Sequence, residues 1–189
     1  YAKASLPCYE WLAREAARVL KPGAFVLAMC GGAFINHIFR IFDAVGLRFF
    51  WQYQLDEVGD RCGVYWHNGN RNMPIVIRHK QILAYSRGTG LPMTATTSLI
   101  KSDGADKRYH HWGQNVSSAR YCVEAFSAPG DLVCDPFLGG GTTAVACELI
   151  GRRWIGFDID PAALAVSAAR LRDAEIPYQG TMFSQEITT

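Results

Sequence analysis

Apolar residues recur at helical spacing over residues 9–20 (YEWLAREAARVL), and Lys21-Pro22-Gly23 closes the stretch with a cation, a helix breaker and a glycine. The continuous apolar run 24–30 (AFVLAMC) predicts a strand covered on both faces, and Gly31-Gly32 supplies the turn into an amphipathic helix over 33–45. Residues 47–55 (LRFFWQYQL) predict an aromatic-rich strand, 56–72 a loop dense in Gly, Asn and charge, and 81–86 (QILAYS) a further strand. Residues 87–109 lack both periodicities and predict a long surface excursion. The last third is the most regular: helix 116–126, a Pro129-Gly130 turn, strand 132–135, helix 141–150, strand 153–158 and helix 161–173 with proline in its first turn. A strand–helix–strand–helix unit of this size predicts a parallel crossover, and the whole chain, 1–189, reads as one α/β domain.

Composition narrows the classes. With 189 residues, 49% of them hydrophobic, the chain has enough apolar material for a core, which excludes wholesale disorder. The longest uncharged apolar run, 24–35, falls short of the roughly 18–20 residues of a membrane-spanning helix. Lys plus Arg (19) exceeds Asp plus Glu (17) by two, so no large basic field announces a polyanionic partner. Six cysteines (Cys8, Cys30, Cys62, Cys122, Cys134, Cys147) form no C-x-x-C pair; Cys30 and Cys134 lie in apolar runs and read as small hydrophobes. These features predict a reducing, cytoplasmic setting. No secretory signal opens the sequence, and its first residue is Tyr1, so the chain is expected to begin inside a longer product.

The strongest chemical signal is 135–143, Asp-Pro-Phe-Leu-Gly-Gly-Gly-Thr-Thr, where an apolar strand gives way to a helix. Three glycines let the backbone turn sharply and approach a ligand at the carboxyl end of a parallel strand, where open α/β sheets bind their ligands. About 20 residues on, at the end of the next strand, Asp158 can accept hydrogen bonds from both hydroxyls of a ribose. The pair implies a nucleoside-containing ligand, while Asp160 suits a helix cap before Pro161. No lysine follows the glycines, which argues against a phosphate-binding ATPase loop, and the spacing is not the G-x-G-x-x-G of dinucleotide enzymes.

The segment DPFLGGGTTAVACELIGRRWIGFDID resembles the S-adenosyl-L-methionine (AdoMet) binding segment of amino-group DNA methyltransferases, D-P-F-x-G-x-G-T-T followed by a helix and a G-R-x-[FWY]-I-G-x-[DE] strand. The resemblance implies a three-layer, Rossmann-like fold with a mostly parallel sheet. Asp135, Pro136, Phe137, Gly139, Gly141, Thr142 and Thr143 would shape the pocket for the methionine part of AdoMet, and Asp158 would hold the ribose. His111 and Gln114 match the family's H-x-x-Q-K-P segment, whereas Asn115 and Val116 depart from it; a polar helix start is the alternative role there. The cofactor segment comes last in the chain, which is similar to the β-type motif order, and 87–109 would be the target-recognition loop. Lys101, Lys107 and Arg108 would then contact DNA phosphates, with ordinary solvated charge as the alternative.

One part of the pattern is missing. The family's catalytic [DSN]-P-P-[YFW] tetrapeptide occurs nowhere in the sequence, so the catalytic residues are expected upstream of Tyr1. The strand carrying it would lie in mid-sheet beside the strand ending at Asp135, and a continuous sheet built from these residues alone would refute that strand order. With the motif restored, the resemblance implies methyl transfer to the exocyclic amine of a flipped-out base in double-stranded DNA, adenine N6 first and cytosine N4 second. No metal is needed for that chemistry, so His37, His67, His79 and His110 are not assigned as ligands, and Trp51, Trp66 and Trp154 are left to packing. A homodimer and a cognate restriction endonuclease are further partners consistent with the family, in the cytoplasm of a prokaryotic or phage-infected cell. A non-catalytic AdoMet- or DNA-binding remnant is the competing reading.

Overall fold

Pro7 has no N–H to lose and a backbone angle already suited to a first helical turn, so helix α1 (Leu6–Val19) starts earlier than the apolar spacing predicts. This computed structural model describes residues 5–57, 63–66, 74–77, 79–104, 114–174 and 181–184. It divides into two units, Tyr1–Pro92 with Thr96–Lys101 and Met93–Ala95 with Ser102–Thr189.

In the first unit, strand β1 (Phe25–Cys30) passes through a short 3-10 turn into helix α2 (Ile35–Ala44), which returns the chain to strand β2 (Arg48–Glu57). Strands β3 (Gly63–Trp66) and β4 (Pro74–Ile77) pair antiparallel, and β5 (His79–Ser86) and β6 (Leu99–Ser102) follow. The sheet order is β1–β5–β2–β6. β5 is antiparallel to both neighbours, with Ser86 opposite Phe25 on one side and Arg48 on the other. β1 and β2 therefore run the same way, and a single reversed strand slotted between them makes both ladders antiparallel. Gln81 through Ser86 are all buried, as a strand covered on both faces requires. Leu83 and Tyr85 pack with Ala13, Ala16, Ala28, Cys30, Ile38, Phe42 and Leu47, joining both helices to one face of the sheet. Burying each larger side chain contributes about 1.5–3 kcal/mol.

Three expectations need correction here. The segment 56–72 is not wholly loop, since β3 forms within it and takes its partner from β4. The excursion 87–109 contains β6, whose alternation of exposed Leu99 and Lys101 with buried Ile100 and Ser102 is too short to stand out in the sequence. Trp51 is 52% exposed rather than packed, next to a register irregularity between Phe49 and Trp51 that re-aims the strand.

The second unit contains helix α3 (Val116–Phe126), strand β7 (Leu132–Asp135), helix α4 (Thr142–Leu149), strand β8 (Arg153–Asp158), helix α5 (Pro161–Asp173) and strand β9 (Thr181–Ser184). β7–β8–β9 is a parallel ladder, with Asp135 opposite Gly156 and Asp158 opposite Ser184. Its core joins Val123, Leu138, Ala144, Val145, Ala146, Cys147, Trp154 and Leu171. Trp154 is buried as expected, its indole N–H donating to Glu148 Oε1 at 2.8 Å. Cys134 departs from expectation: it is exposed, as is Leu132, because alternation sends both to the face opposite Val133, which packs on the helices. Among the described residues the strands form three ladders.

Candidate functional site

The site is built where β7 and β8 end side by side. Asp135 closes β7, and its Oδ1 accepts the Phe137 N–H at 3.0 Å, bending the chain at Pro136, where no N–H needs a partner. Burial pushes the Asp135 carboxyl above the usual carboxylate range. Hydrogen bonds from the Thr143 side chain and the Phe137 backbone oppose that rise, and the nearby Asp158 charge adds to it.

The glycines that follow are needed as glycines at two positions. Gly139 and Gly141 have φ of 51° and 72°, the left-handed region that other residues enter at a cost. A Cβ on Gly141 would stand 2.9 Å from the Cβ of Ser167, so the loop and α5 approach too closely for any side chain there. Two successive N–H groups then tie the loop to the end of β8: Leu138 donates to the Phe157 carbonyl at 2.8 Å and Gly139 to Asp158 Oδ2 at 2.7 Å. The Leu138 side chain lies over Gly156, where a Cβ would meet it at 2.7 Å.

Asp158 is held from two sides, because its Oδ1 also accepts the Asp160 N–H at 2.9 Å. Each oxygen of a carboxylate has two acceptor positions, so one remains on each for a ligand hydroxyl. Asp160 caps α5 through the Ala162 N–H at 2.9 Å, the role expected of it. Phe137 and Ile159 flank this acid and loop in sequence and are 51% and 76% exposed. Large apolar side chains left in solvent beside a polar turn suit the flat face of a heterocycle.

Of the residues singled out from sequence, the structure brings together Asp135, Pro136, Phe137, Gly139, Gly141, Thr142, Thr143 and Asp158. Gln114 joins them through its backbone, its carbonyl accepting the Thr142 hydroxyl at 3.3 Å. Asn115 takes the polar helix-start role, its side chain accepting the Ser117 N–H at 2.7 Å and capping α3. His111, Lys107 and Arg108 lie outside the described residues, as do His67 and His110; Lys101 is exposed on β6 in the first unit. Sequence reasoning missed Ile159, Ser167 and Arg170. The last two are buried on α5 and bond to the loop: Ser167 Oγ donates to the Gly139 carbonyl at 2.6 Å, and Arg170 Nη1 to the Gly140 carbonyl at 3.0 Å and to Thr142 Oγ1 at 2.8 Å. Their signal was available, since Ala163, Ser167, Arg170 and Leu171 share one buried helical stripe.

Two concavities in the first unit hold none of these residues. One of about 370 Å³ is lined by Glu10, Arg14 and Arg40 among others, and one of about 510 Å³ by Arg48, Phe50 and Ser86 among others. Among the described residues no cluster of His, Cys, Asp and Glu is arranged to hold a metal ion, and no helix is long and apolar enough to cross a membrane.

Comparison with known proteins identifies a family and a fold. The profile of a DNA methylase family, the N6/N4 type, matches residues 56–169. The type II methyltransferase M.EcaI of Enterobacter cloacae is 29% identical over 165 residues, covering 80% of this chain and 34% of that protein. The type II methyltransferase M.XycI of Xanthomonas campestris pv. cyanopsidis is 38% identical over 53 residues, covering 28% of this chain and 18% of that protein. The chain thus spans about a third or less of the length of these curated relatives. Among solved structures, the cytosine-N4-specific PvuII DNA methyltransferase superimposes with a TM-score of 0.75 at 17% identity, covering 96% of this chain and 80% of that one. M1.HpyAVI in complex with SAM gives a TM-score of 0.66 at 20% identity, covering 88% of this chain and 82% of that one. The shared architecture is the Rossmann-like α/β fold of these proteins.

Proposed function

The chain belongs to the amino-group DNA methyltransferase family, and on that premise we propose that it carries the AdoMet site of an enzyme that methylates an exocyclic amine in double-stranded DNA, adenine N6 in the first instance. The observation that carries this reading is the 2.7 Å bond from the Gly139 N–H to Asp158, which makes the glycine turn and the acid one site rather than two separate local features.

The residues present fit AdoMet. Asp158 offers its remaining acceptor positions to the ribose hydroxyls, and the exposed Phe137 and Ile159 offer apolar surface to the purine. The left-handed Gly139 and Gly141 keep the loop free of side chains on the amino-acid end. Asp135 and Asp158 place two carboxyl groups close enough for one to perturb the other, a repulsion that a cationic ligand relieves. AdoMet when bound supplies a methyl group activated by the sulfonium. No metal or covalent enzyme intermediate is required, and alignment with a pre-set polar environment does the catalysis.

Asp135 does not serve as the amine-holding acid. Its carboxylate is committed to the Phe137 N–H and Thr143 beneath the loop, and no Pro-Pro pair occurs in the 189 residues. The amine-holding tetrapeptide is accordingly assigned to sequence outside them. In this reading the segment 87–109 is the target-recognition loop, with Lys101, Lys107 and Arg108 on DNA phosphates. His111 and Gln114 border the cofactor. The setting is the cytoplasm of a prokaryotic or phage-infected cell, with a restriction endonuclease as the enzyme's counterpart and a homodimer as a further assembly.

The test incubates the full-length protein with labelled AdoMet and unmethylated DNA, then digests the DNA to nucleosides. Labelled N6-methyladenine is the expected product, and N4-methylcytosine would move the target to the other amine. AdoMet binding without any methylated nucleoside would establish the non-catalytic remnant instead. Asp158→Ala is expected to lose AdoMet binding while its circular dichroism stays that of the parent; unchanged affinity removes the ribose role from this carboxylate.

A further inference from the structure

We infer that Ser167 and Arg170 on α5 are positioning residues for the cofactor loop: by holding the carbonyls of Gly139 and Gly140 they aim the Gly140 N–H at the amino-acid end of the ligand. This rests on the AdoMet reading above. A trans peptide directs its C=O and N–H to opposite sides. The 2.6 Å bond from Ser167 Oγ to the Gly139 carbonyl therefore turns the Gly140 N–H away from α5. The next N–H is already used, since Gly141 donates to the Leu138 carbonyl at 2.9 Å. Arg170 fixes the following carbonyl at 3.0 Å, so both peptides that could rotate within the glycine run are pinned from the α5 side. Glycine has the freest backbone of any residue, and a run of three without such anchors would sample many loop conformations and bind at an entropic cost.

Arg170 extends the hold beyond the glycines. The same Nη1 donates to Thr142 Oγ1 at 2.8 Å, and that hydroxyl donates to the Gln114 carbonyl at 3.3 Å. One guanidinium thus links the loop, the start of α4 and the residue before the α3 cap. Ser167 is fully buried and Arg170 is 4% exposed, so neither is free to act on a ligand directly. Their influence passes through the backbone they orient.

The experiment measures, by calorimetry on the full-length protein, the affinity for AdoMet and for 5′-methylthioadenosine, which keeps the nucleoside and lacks the amino-acid end. Ser167→Ala and Arg170→Met are expected to weaken AdoMet about tenfold, as the loss of one oriented hydrogen bond does, and 5′-methylthioadenosine less than about twofold. Arg170→Lys, which keeps a donor, is expected to recover part of the AdoMet affinity. Equal weakening of both ligands, or of neither, overturns the inference, because a merely structural role would not discriminate between them. Ser167→Ala removes one oxygen and decides the matter even if Arg170→Met fails to fold. Failure of the parent itself to bind AdoMet overturns the functional reading, and this inference with it; binding that the variants leave unaltered overturns only the inference.

Discussion

The sheet around β5 and the crossover from β7 to β8 use the same materials differently. Beside β5, an aromatic cluster is held by packing: Phe42 stacks on Tyr85 with ring centroids 4.6 Å apart, and Phe39 and Phe49 meet the same tyrosine edge-on. At the ends of β7 and β8, interior positions are filled with groups that hold backbone. Asp135, Asp158, Ser167 and Arg170 each bond to a loop N–H or carbonyl. The first arrangement stabilises by area and dispersion, which tolerate small displacements; the second stabilises by direction, which does not. A functional loop needs the second kind, since its task is to present backbone groups at fixed angles.

The largest expected effect breaks the packed side of this contrast. Phe42→Ala empties a fully buried ring site beside Tyr85, and it should lower unfolding stability by about 3–5 kcal/mol in a urea titration. A loss under about 1 kcal/mol would mean the aromatic cluster is not close-packed. Next comes the oriented side. Gly141→Ala meets both a left-handed φ and the Ser167 Cβ, so a loss of about 3 kcal/mol is expected together with loss of AdoMet binding. Gly151→Ala has a similar φ of 65° but nothing within 4 Å of the new Cβ, and should cost only about 1 kcal/mol. If the two alanines cost the same, the close approach of loop and α5 is not what demands glycine at 141.

How much of this was legible in the sequence follows the same division. α3, β7, β8 and α5 occupy the spans that periodicity predicts, because their punctuation is local: the Asn115 cap, Pro129-Gly130, and Asp160 before Pro161. Four-residue β3 and β6 were missed, since a strand that short is defined by its partner rather than by its own pattern. β9 was missed for the same reason and takes its definition from β8. At the site, Asp135 and Asp158 were legible as residues, but the bond joining Asp158 to Gly139 spans 19 positions and has no local trace. Ser167 and Arg170 stand on one helical stripe with Ala163 and Leu171, but their bonds to Gly139 and Gly140 span 28 and 30 positions and have no local trace.

A smaller effect distinguishes a carboxylate placed for chemistry from one placed for stability. A carboxyl whose pKa is raised in the folded state favours folding below the ordinary carboxylate range and loses that contribution as pH rises through the raised value. Asp135 therefore costs the fold stability as pH rises above the ordinary carboxylate range, chiefly through its burial. Asp135→Asn removes that penalty, so the variant's stability relative to the parent should be greater at about pH 7.5 than at about pH 4.5 in urea titrations, while AdoMet binding falls. A difference independent of pH would show that Asp135 stays comfortably ionised in the folded protein.

The smallest effect tests whether the packed side contains a polar group that earns no bond. Tyr85 is fully buried, and its hydroxyl has no hydrogen-bond partner among the described residues, in a setting where most buried hydroxyls have one. Burial and the nearby Asp43 push the phenol up from its ordinary value, so it stays neutral and keeps an O–H in the core at every working pH. Tyr85→Phe deletes that oxygen and leaves the stack on Phe42 in place. Removing an unsatisfied buried group relieves its desolvation cost, so the variant should match the parent or gain up to about 1 kcal/mol. A loss of that size would instead reveal a bond made by this hydroxyl, and would add a directional contact to a stack otherwise held by area.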